Sequence, residues 1–393
     1  MIVYTDRSRI AMDENCARRR YYEYEYGGTG VTLDGDNTAG RDIGSCVHEG
    51  IAAILQPPMS RATAGDAELL THGMAVAHAA PEWLRLTTDT DRDMVDALLR
   101  TWFAVVYPQI MAGWRVDDCE REELTNFMVG ADEVRFMSRL DLLATATESA
   151  TLNGAPVAPG RWVWDWKCVK SAGDRWRAQQ RYEMQWLTSL LGPEARLGER
   201  LEGVIVCALV KDAHPLVSCW RNRSTGETSN RFRYTCAEPH PFRYAKGGMC
   251  MGGVQHTLSK KEWEEVSVRD LPGGQAAHFE RLLATEPGLL AEWVEYAGPM
   301  VRVSDYEIER WKRQHLRREV EIARVRSPEP LSDEALDRWF SQSMSSCLAY
   351  ARFEGATPVG GCPARDICHG GDSLENYPAR DHFNHPAEEA AHE

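Results

Sequence analysis

The run Arg161-Trp-Val-Trp-Asp-Trp-Lys-Cys-Val-Lys170 constrains this chain more than any other stretch. Its aromatic and β-branched side chains read as a buried β-strand. Side chains alternate along a strand, so Val163, Asp165 and Lys167 point to one face while Trp162, Trp164 and Trp166 point to the other. A carboxylate and an ammonium on so apolar a strand are costly unless a metal, a substrate or a partner charge compensates them. The pair suits metal-assisted phosphodiester hydrolysis, in which the carboxylate holds a divalent cation and the lysine orients an attacking water. Asp-x-Lys alone recurs by chance in many chains, so its neighbours decide its meaning.

The neighbours form an ordered set. In Val134-Arg-Phe-Met-Ser-Arg-Leu-Asp141-Leu-Leu, alternation puts Asp141 on the face of Arg139 and opposite Phe136, Leu140 and Leu142. Asp141 precedes Asp165 across one loop, which fits adjacent antiparallel strands. Two carboxylates so placed repel unless a cation sits between them. The plainer reading pairs Asp141 with Arg139 or an exposed lysine. His48 shares a helical face with Gly44, Val47, Ile51, Ala52 and Leu55. A lone histidine there is most often a satisfied core residue; as a neutral imidazole it is a metal ligand, with Gly44 allowing close helix–sheet approach. Tyr182 and Gln185 share a helical face after the Asp-x-Lys strand. They read either as the polar border of an amphipathic helix or as groups that hold Lys167 or a phosphate.

Around these lie helices over about 8–26, stopped at Gly27-Gly28, and about 40–55, with 64–113 mostly helical. Strands are expected at Glu120–Val129, Val134–Ala144, the Asp-x-Lys run and Leu201–Lys211, with a turn at 130–133 and a loop at about 149–160. Asp174 opens a helix to about Leu191, and further helices cover about 304–325 and 332–352, the latter capped by Ser332. Residues 221–300 mix turn signals with aromatic and basic residues. The end from Gly370 is rich in His, Pro, Glu and Ala and reads as disordered.

In that order, Gly44-x3-His48, Ser-Arg-Leu-Asp141, Asp165-Trp-Lys167 and Tyr182-x2-Gln185 resemble the PD-(D/E)xK nuclease superfamily, in its RecB-like branch. The resemblance covers about residues 8–212 and 340–370. It implies an α/β fold: a restriction-endonuclease-like core with a central mixed sheet flanked by helices, plus helical additions. It implies Mg²⁺ or Mn²⁺ held by His48, Asp141, Asp165 and the Trp166 carbonyl. Lys167 then generates and places hydroxide, with Tyr182 and Gln185 supporting substrate and lysine. Ser138 stands where the family usually has glycine, and Ser189 where an aromatic is common; neither change removes a catalytic group.

Eleven cysteines in a chain with cytosolic features point to metal binding or burial rather than disulfides. Cys46, Cys168, Cys207 and Cys219 lie in apolar stretches and read as small core residues. Cys16, far upstream, with Cys347, Cys362 and Cys368 resembles the Fe–S-containing RecB-like nucleases, where four thiolates hold a 4Fe–4S cluster joining the chain ends. Zinc also accepts four thiolates, and four unrelated thiols is the plain alternative. The gap from Cys347 to Cys362 is longer than the family usually shows.

The net charge of −14 argues against coating nucleic acid through a general positive field. It leaves room for a nuclease with a local basic groove. Arg18-Arg19-Arg20, Arg175/Arg177/Arg181, Arg231/Arg233 and the Arg310–Arg318 cluster are candidate patches, each more often a solvated helix face. The chain is therefore expected to be a metal-dependent DNA nuclease, an exonuclease on single strands or duplex ends, acting in phage or bacterial recombination or repair. Its expected partners are DNA and a helicase or recombination protein. Competing readings are a catalytically silent DNA-binding or scaffold subunit and a structure-specific endonuclease. No apolar run is long enough to span a bilayer and the start lacks a secretory layout, so a cytoplasmic location is expected. One nuclease domain over 1–369, with an insertion at 221–330 and a tail at 370–393, is the expected organisation.

Overall fold

The computed structural model describes residues 1–31, 39–56, 65–180, 185–212, 214–230, 233–235, 240–241, 249–250, 255–258, 261–286, 288–301, 304–342, 352–354, 357–359 and 364–368. Its centre is a mixed six-stranded sheet flanked by helices, as the sequence led one to expect. In chain order the strands are β1 (Ile2–Asp6), β2 (Trp114–Val129), β3 (Asp132–Ala146), β4 (Gly160–Val169), β5 (Gly203–Val210) and β6 (Val294–Val301). Strand β2 runs antiparallel along one whole edge of β3. The opposite edge of β3 is shared. Strand β1 pairs parallel with Glu133–Met137, and β4 pairs antiparallel with Leu142–Ala146. Residues 138–141 of β3 therefore face the place where β1 ends and β4 leaves the ladder.

Beyond β4 the sheet continues through parallel β5 to antiparallel β6. A parallel β4–β5 pair requires a long crossover, and α6 (Asp174–Gln180) and α7 (Gln185–Leu197) supply it. Strand β6 comes from within the segment expected to be an insertion, so part of 221–330 completes the main sheet.

Tryptophans 162, 164 and 166 face a core closed by α2 (Ala39–Leu55), α3 (Asp66–Ala79), α4 (Asp89–Val105) and α5 (Tyr107–Gly113), with Val47, Ile51, Ile54, Leu98 and Trp102 packed in it. The Trp164 ring meets Trp114 edge-on at 5.0 Å and is fully buried. Truncation of a core tryptophan costs about 3–5 kcal/mol. Helices α2 and α3 touch backbone to backbone, and a Cβ on Gly73 would lie 2.8 Å from the Gly50 carbonyl oxygen. On the other face Val163 packs with Trp186 and Leu190 of α7. Val3, Val134 and Phe136 pack there with Trp311 of α8 (Asp305–Trp311) and Val320 of α9 (Arg317–Val325). The alternation expected for the Asp-x-Lys strand is the one observed.

Helix α1 (Arg7–Arg20) corrects the reading of its basic run as a solvated or DNA-facing patch. Arg18, Arg19 and Arg20 are all buried. Arg20 bonds Glu25 at 3.0 Å and Glu319 at 2.8 Å, Arg19 pairs with Glu23, and Arg18 pairs with Asp337. The predicted helix at 332–352 is shorter where described: Asp333–Trp339, N-capped by Ser332 as expected and ended at Phe340. No helix among the described residues is long and apolar enough to cross a membrane.

Candidate metal centre

Where β3 and β4 part, the main chain of Trp166 loses its ladder partner on the β3 side. Side chains take its place. The Trp166 N–H donates to Asp141 Oδ2 at 2.6 Å, and the Trp166 carbonyl lies 3.1 Å from His48 Nε2. His48 reaches this point from α2, whose apolar face is pinned on the tryptophan core. In the neutral ring, an Nε2–H donating to the carbonyl would leave the lone pair on Nδ1. Nδ1 faces Asp141 Oδ1 and Glu120 Oε1, both at 3.4 Å. Donor atoms of His48, Glu120 and Asp141 all lie within 4.8 Å of one another, the only such group among the described residues.

Strand alternation treats Glu120 as an ordinary strand residue, and the ligand set implied by the family resemblance does not include it. Its backbone explains why alternation missed it. Glu120 has φ +48°, the left-handed region that non-glycine residues rarely enter. Cys119 is buried in the core beneath α2, and Glu120 also reaches α2 through His48. Arg121 then contacts Glu123, which packs against Gly192 of α7 on the other face. Two consecutive side chains thus leave β2 on one side, as a bulge re-aims a strand. A carboxylate in the strand paired with the Asp141 strand was the only sequence signal available.

Arg139 does not pair with Asp141, as the plainer reading had it. Its Nε holds Glu120 Oε2 at 2.7 Å and its Nη2 donates to Glu49 Oε1 at 2.9 Å. Glu120 Oε1 is buried and accepts no hydrogen bond. Burial pushes the Glu120 carboxyl above its ordinary range, against the opposing pull of His48. For Asp141 burial acts upward too, but His48, Lys167 and the Trp166 N–H outweigh it and hold the group below its usual range. Burial alone would lower His48; Asp141 and Glu120 overcome this and raise it well above 6.5.

Asp165 and Lys167 form an ion pair of 2.7 Å on the α7 face of β4. Lys167 Nζ lies 5.7 Å from the centre of the Trp186 ring. Burial raises the Asp165 carboxyl, partly offset by Lys167, and the Asp141 charge raises it further. Arg7, at the start of α1, acts on Asp165 in the opposite sense, a contribution the sequence reading did not include. Asp165 is therefore the electrostatic neighbour of Asp141 without belonging to the three-residue donor group, and Trp166 O contacts the histidine ring. Gly44 lies over β4, but a Cβ there would meet Cys168 Cβ at an ordinary 3.9 Å, so packing alone does not demand glycine.

Of the remaining predicted residues, Tyr182 lies outside the described residues, and Gln185 is placed only as the first residue of α7. Cys16 is buried where α1 leaves helical geometry (φ −160°, ψ 104°). Cys368, in the short turn Arg365–Cys368, packs beside the same apolar cluster as Ala17, Tyr21 and Tyr22. Cys347 and Cys362 lie outside the described residues. Among the basic candidates, Arg177 pairs with Asp174 and Glu295, Lys312 with Glu309, and Arg317 with Glu321. Comparison with models of known protein families finds no match, and comparison with curated proteins finds no similar one.

Proposed function

We propose that this chain is a divalent-metal-dependent DNA nuclease of the PD-(D/E)xK, RecB-like kind, acting on single-stranded DNA or duplex ends. The observation that carries the reading is the convergence of His48, Glu120 and Asp141 at the parting of β3 and β4, beside the Asp165–Lys167 pair. The donor set fits a hard or borderline cation. It offers one imidazole nitrogen and two carboxylates, and the buried, unbonded Glu120 Oε1 is the atom such an ion would satisfy. Mg²⁺ or Mn²⁺ held there supplies Lewis-acid polarisation of a phosphate oxygen and lowers the cost of deprotonating water.

The chain's own groups do the rest. Trp166 O fixes the imidazole so that Nδ1 is presented as an acceptor. Arg139 engages Glu120 Oε2 and leaves Oε1 facing His48. The Trp166 N–H holds Asp141 Oδ2. Lys167, with its side chain 31 % exposed, is the group placed to orient a water or contact a scissile phosphate, and Asp165 sets its direction. Glu120 thus joins the ligand set that the family resemblance implied.

The same reading includes a 4Fe–4S cluster held by Cys16, Cys347, Cys362 and Cys368, with zinc as the lesser alternative. Its support is that Cys368 packs beside the apolar cluster that also takes Ala17, next to Cys16. One observation favours a second reading, a silent DNA-binding or scaffold subunit of a helicase or recombination complex. Asp141 and His48 already satisfy the opened main chain of Trp166, which is a structural role sufficient to retain them. Digestion of end-labelled single-stranded DNA with Mn²⁺, with and without chelator, separates the two. Chelator-sensitive cleavage is expected, and its absence with correctly folded protein supports the silent subunit. Circular single-stranded DNA left intact distinguishes an exonuclease from the endonuclease alternative.

A further inference from the structure

Strand β2 is long, lies at the sheet edge and pairs only with β3 among the described residues. Its irregularities sit towards its first half, a register shift between Val116 and Asp118 and the left-handed Glu120. From Arg121 to Val129 its pairing is regular and free of proline, and its charges, Arg121, Glu122 and Glu123, gather at the end nearer Glu120, leaving Leu124–Val129 without the charge or proline that blunts a free edge. Its outward side chains in this stretch are Glu122, Leu124, Asn126 and Met128. Leu124 is 54 % and Met128 70 % exposed, and Ile2, aligned with Met128 across Glu133, is 51 % exposed. Leu124 and Met128, two of the large exposed apolar side chains, therefore lie on the edge strand itself, while Ile2 sits on β1 on the far side of β3.

We infer that this edge pairs with β2 of a second copy of the chain, antiparallel and centred on Asn126, joining two sheets into one. The commitment to a second copy rests on the self-complementary order of the strand. Antiparallel pairing about Asn126 sets Leu124 opposite Met128 of the second copy, Met128 opposite Leu124, and Asn126 opposite Asn126. The same register sets Glu123 opposite Val129 and Glu122 opposite Gly130, so no like charges meet. Gly130, in the turn, has open space around it. At about 3.4 Å per residue, the dyad lies roughly 20 Å along the strand from Glu120. Each copy thus keeps its metal centre clear of the junction, and the pairing stands whether or not the centre is a nuclease.

The test is sedimentation equilibrium of the full chain over a wide concentration range, beside Leu124→Lys/Met128→Lys. In the proposed register those lysines place ammonium groups opposite one another. The unaltered chain is expected to dimerise reversibly, and the double variant to dissociate at least tenfold more readily with unchanged thermal melting. Asn126→Cys should give a disulfide-linked dimer under mild oxidation beyond the background of the unaltered chain. Glu122→Cys, remote from its counterpart in this register, should not. A chain monomeric throughout, as it would be if the edge receives an extended segment of another protein, overturns the proposal. So does a dimer indifferent to the two lysines, or cross-linking through position 122 in place of 126.

Discussion

Two regions of this molecule bury carboxylates, and they do so in opposite ways. At the seam between α1 and α9, Arg20 bonds both oxygens of Glu319 at 2.9 and 2.8 Å and also reaches Glu25. Thr5 donates to Glu319, and Arg326 donates to Glu25. Burial would raise Glu319, but Arg20 and Thr5 more than reverse it and the carboxyl stays below its ordinary range. At the candidate metal centre, Glu120 and Asp141 share His48, Arg139 reaches Glu120 alone of the two, one Glu120 oxygen accepts no hydrogen bond, and burial leaves Glu120 raised. The first cluster is balanced within the fold. The second is short of positive charge and is held by a backbone in the left-handed region, as expected where a site keeps a demand for a cation.

The largest effect expected from breaking this contrast is on stability at the seam. Arg20→Ala leaves buried Glu319 without its cation and Glu25 with Arg326 alone, and should cost about 3–5 kcal/mol in denaturant unfolding, without changing the Mn²⁺ affinity of whatever protein remains folded. At the centre the response should be reversed. Asp141→Asn is expected to reduce Mn²⁺-dependent DNA cleavage by about 10²–10³-fold or more while melting changes little. Lys167→Ala should do the same without loss of Mn²⁺ binding, measured by calorimetry. Cleavage that survives either change removes the nuclease reading.

Glu120→Gln sharpens the comparison. Because its folded carboxyl is raised, the ionised form is disfavoured in the metal-free protein. Removing the charge should leave metal-free melting unchanged or higher at neutral pH, yet weaken Mn²⁺ by about 10–100-fold, the scale seen for groups that support a metal site. The smallest effect is on pH. His48 is raised, so in metal-free protein its stabilising charge is fully present below about 6.5 and is lost as pH rises through the raised value. Metal needs the neutral ring, so Mn²⁺ affinity should strengthen with rising pH, by at most about tenfold per unit for one displaced proton. An affinity flat with pH would mean that His48 is not a ligand.

Much of the frame was legible because it depends on local pattern. The three- and four-residue spacing of Val47, Ile51 and Leu55 gave α2, Gly27 and Gly28 take the positive φ that ends the first helical stretch, and Ser332 caps its helix. Alternation put Asp165 and Lys167 on the correct face. What was missed depends on contacts distant in sequence. Strand β1 is short and is defined by its parallel partner in β3. Strand β6 joins the sheet from a stretch dominated by turn residues. Arg18, Arg19 and Arg20 read as solvated because their acidic partners include Glu319 and Asp337, at the other end of the chain. Glu120 escaped because one left-handed residue reverses the alternation on which strand reading depends.

The parting of β3 from β4 leaves Trp166 with a property no other strand residue shares among the described ones. Its amide proton is held by a carboxylate of the centre and its carbonyl by the histidine, so one peptide unit senses both. A cation drawing on Asp141 should shift that amide resonance and change its exchange with deuterium, while the Trp164 amide a ladder step away stays still. The backbone of the site strand is in this sense a gauge of occupancy that requires no substrate.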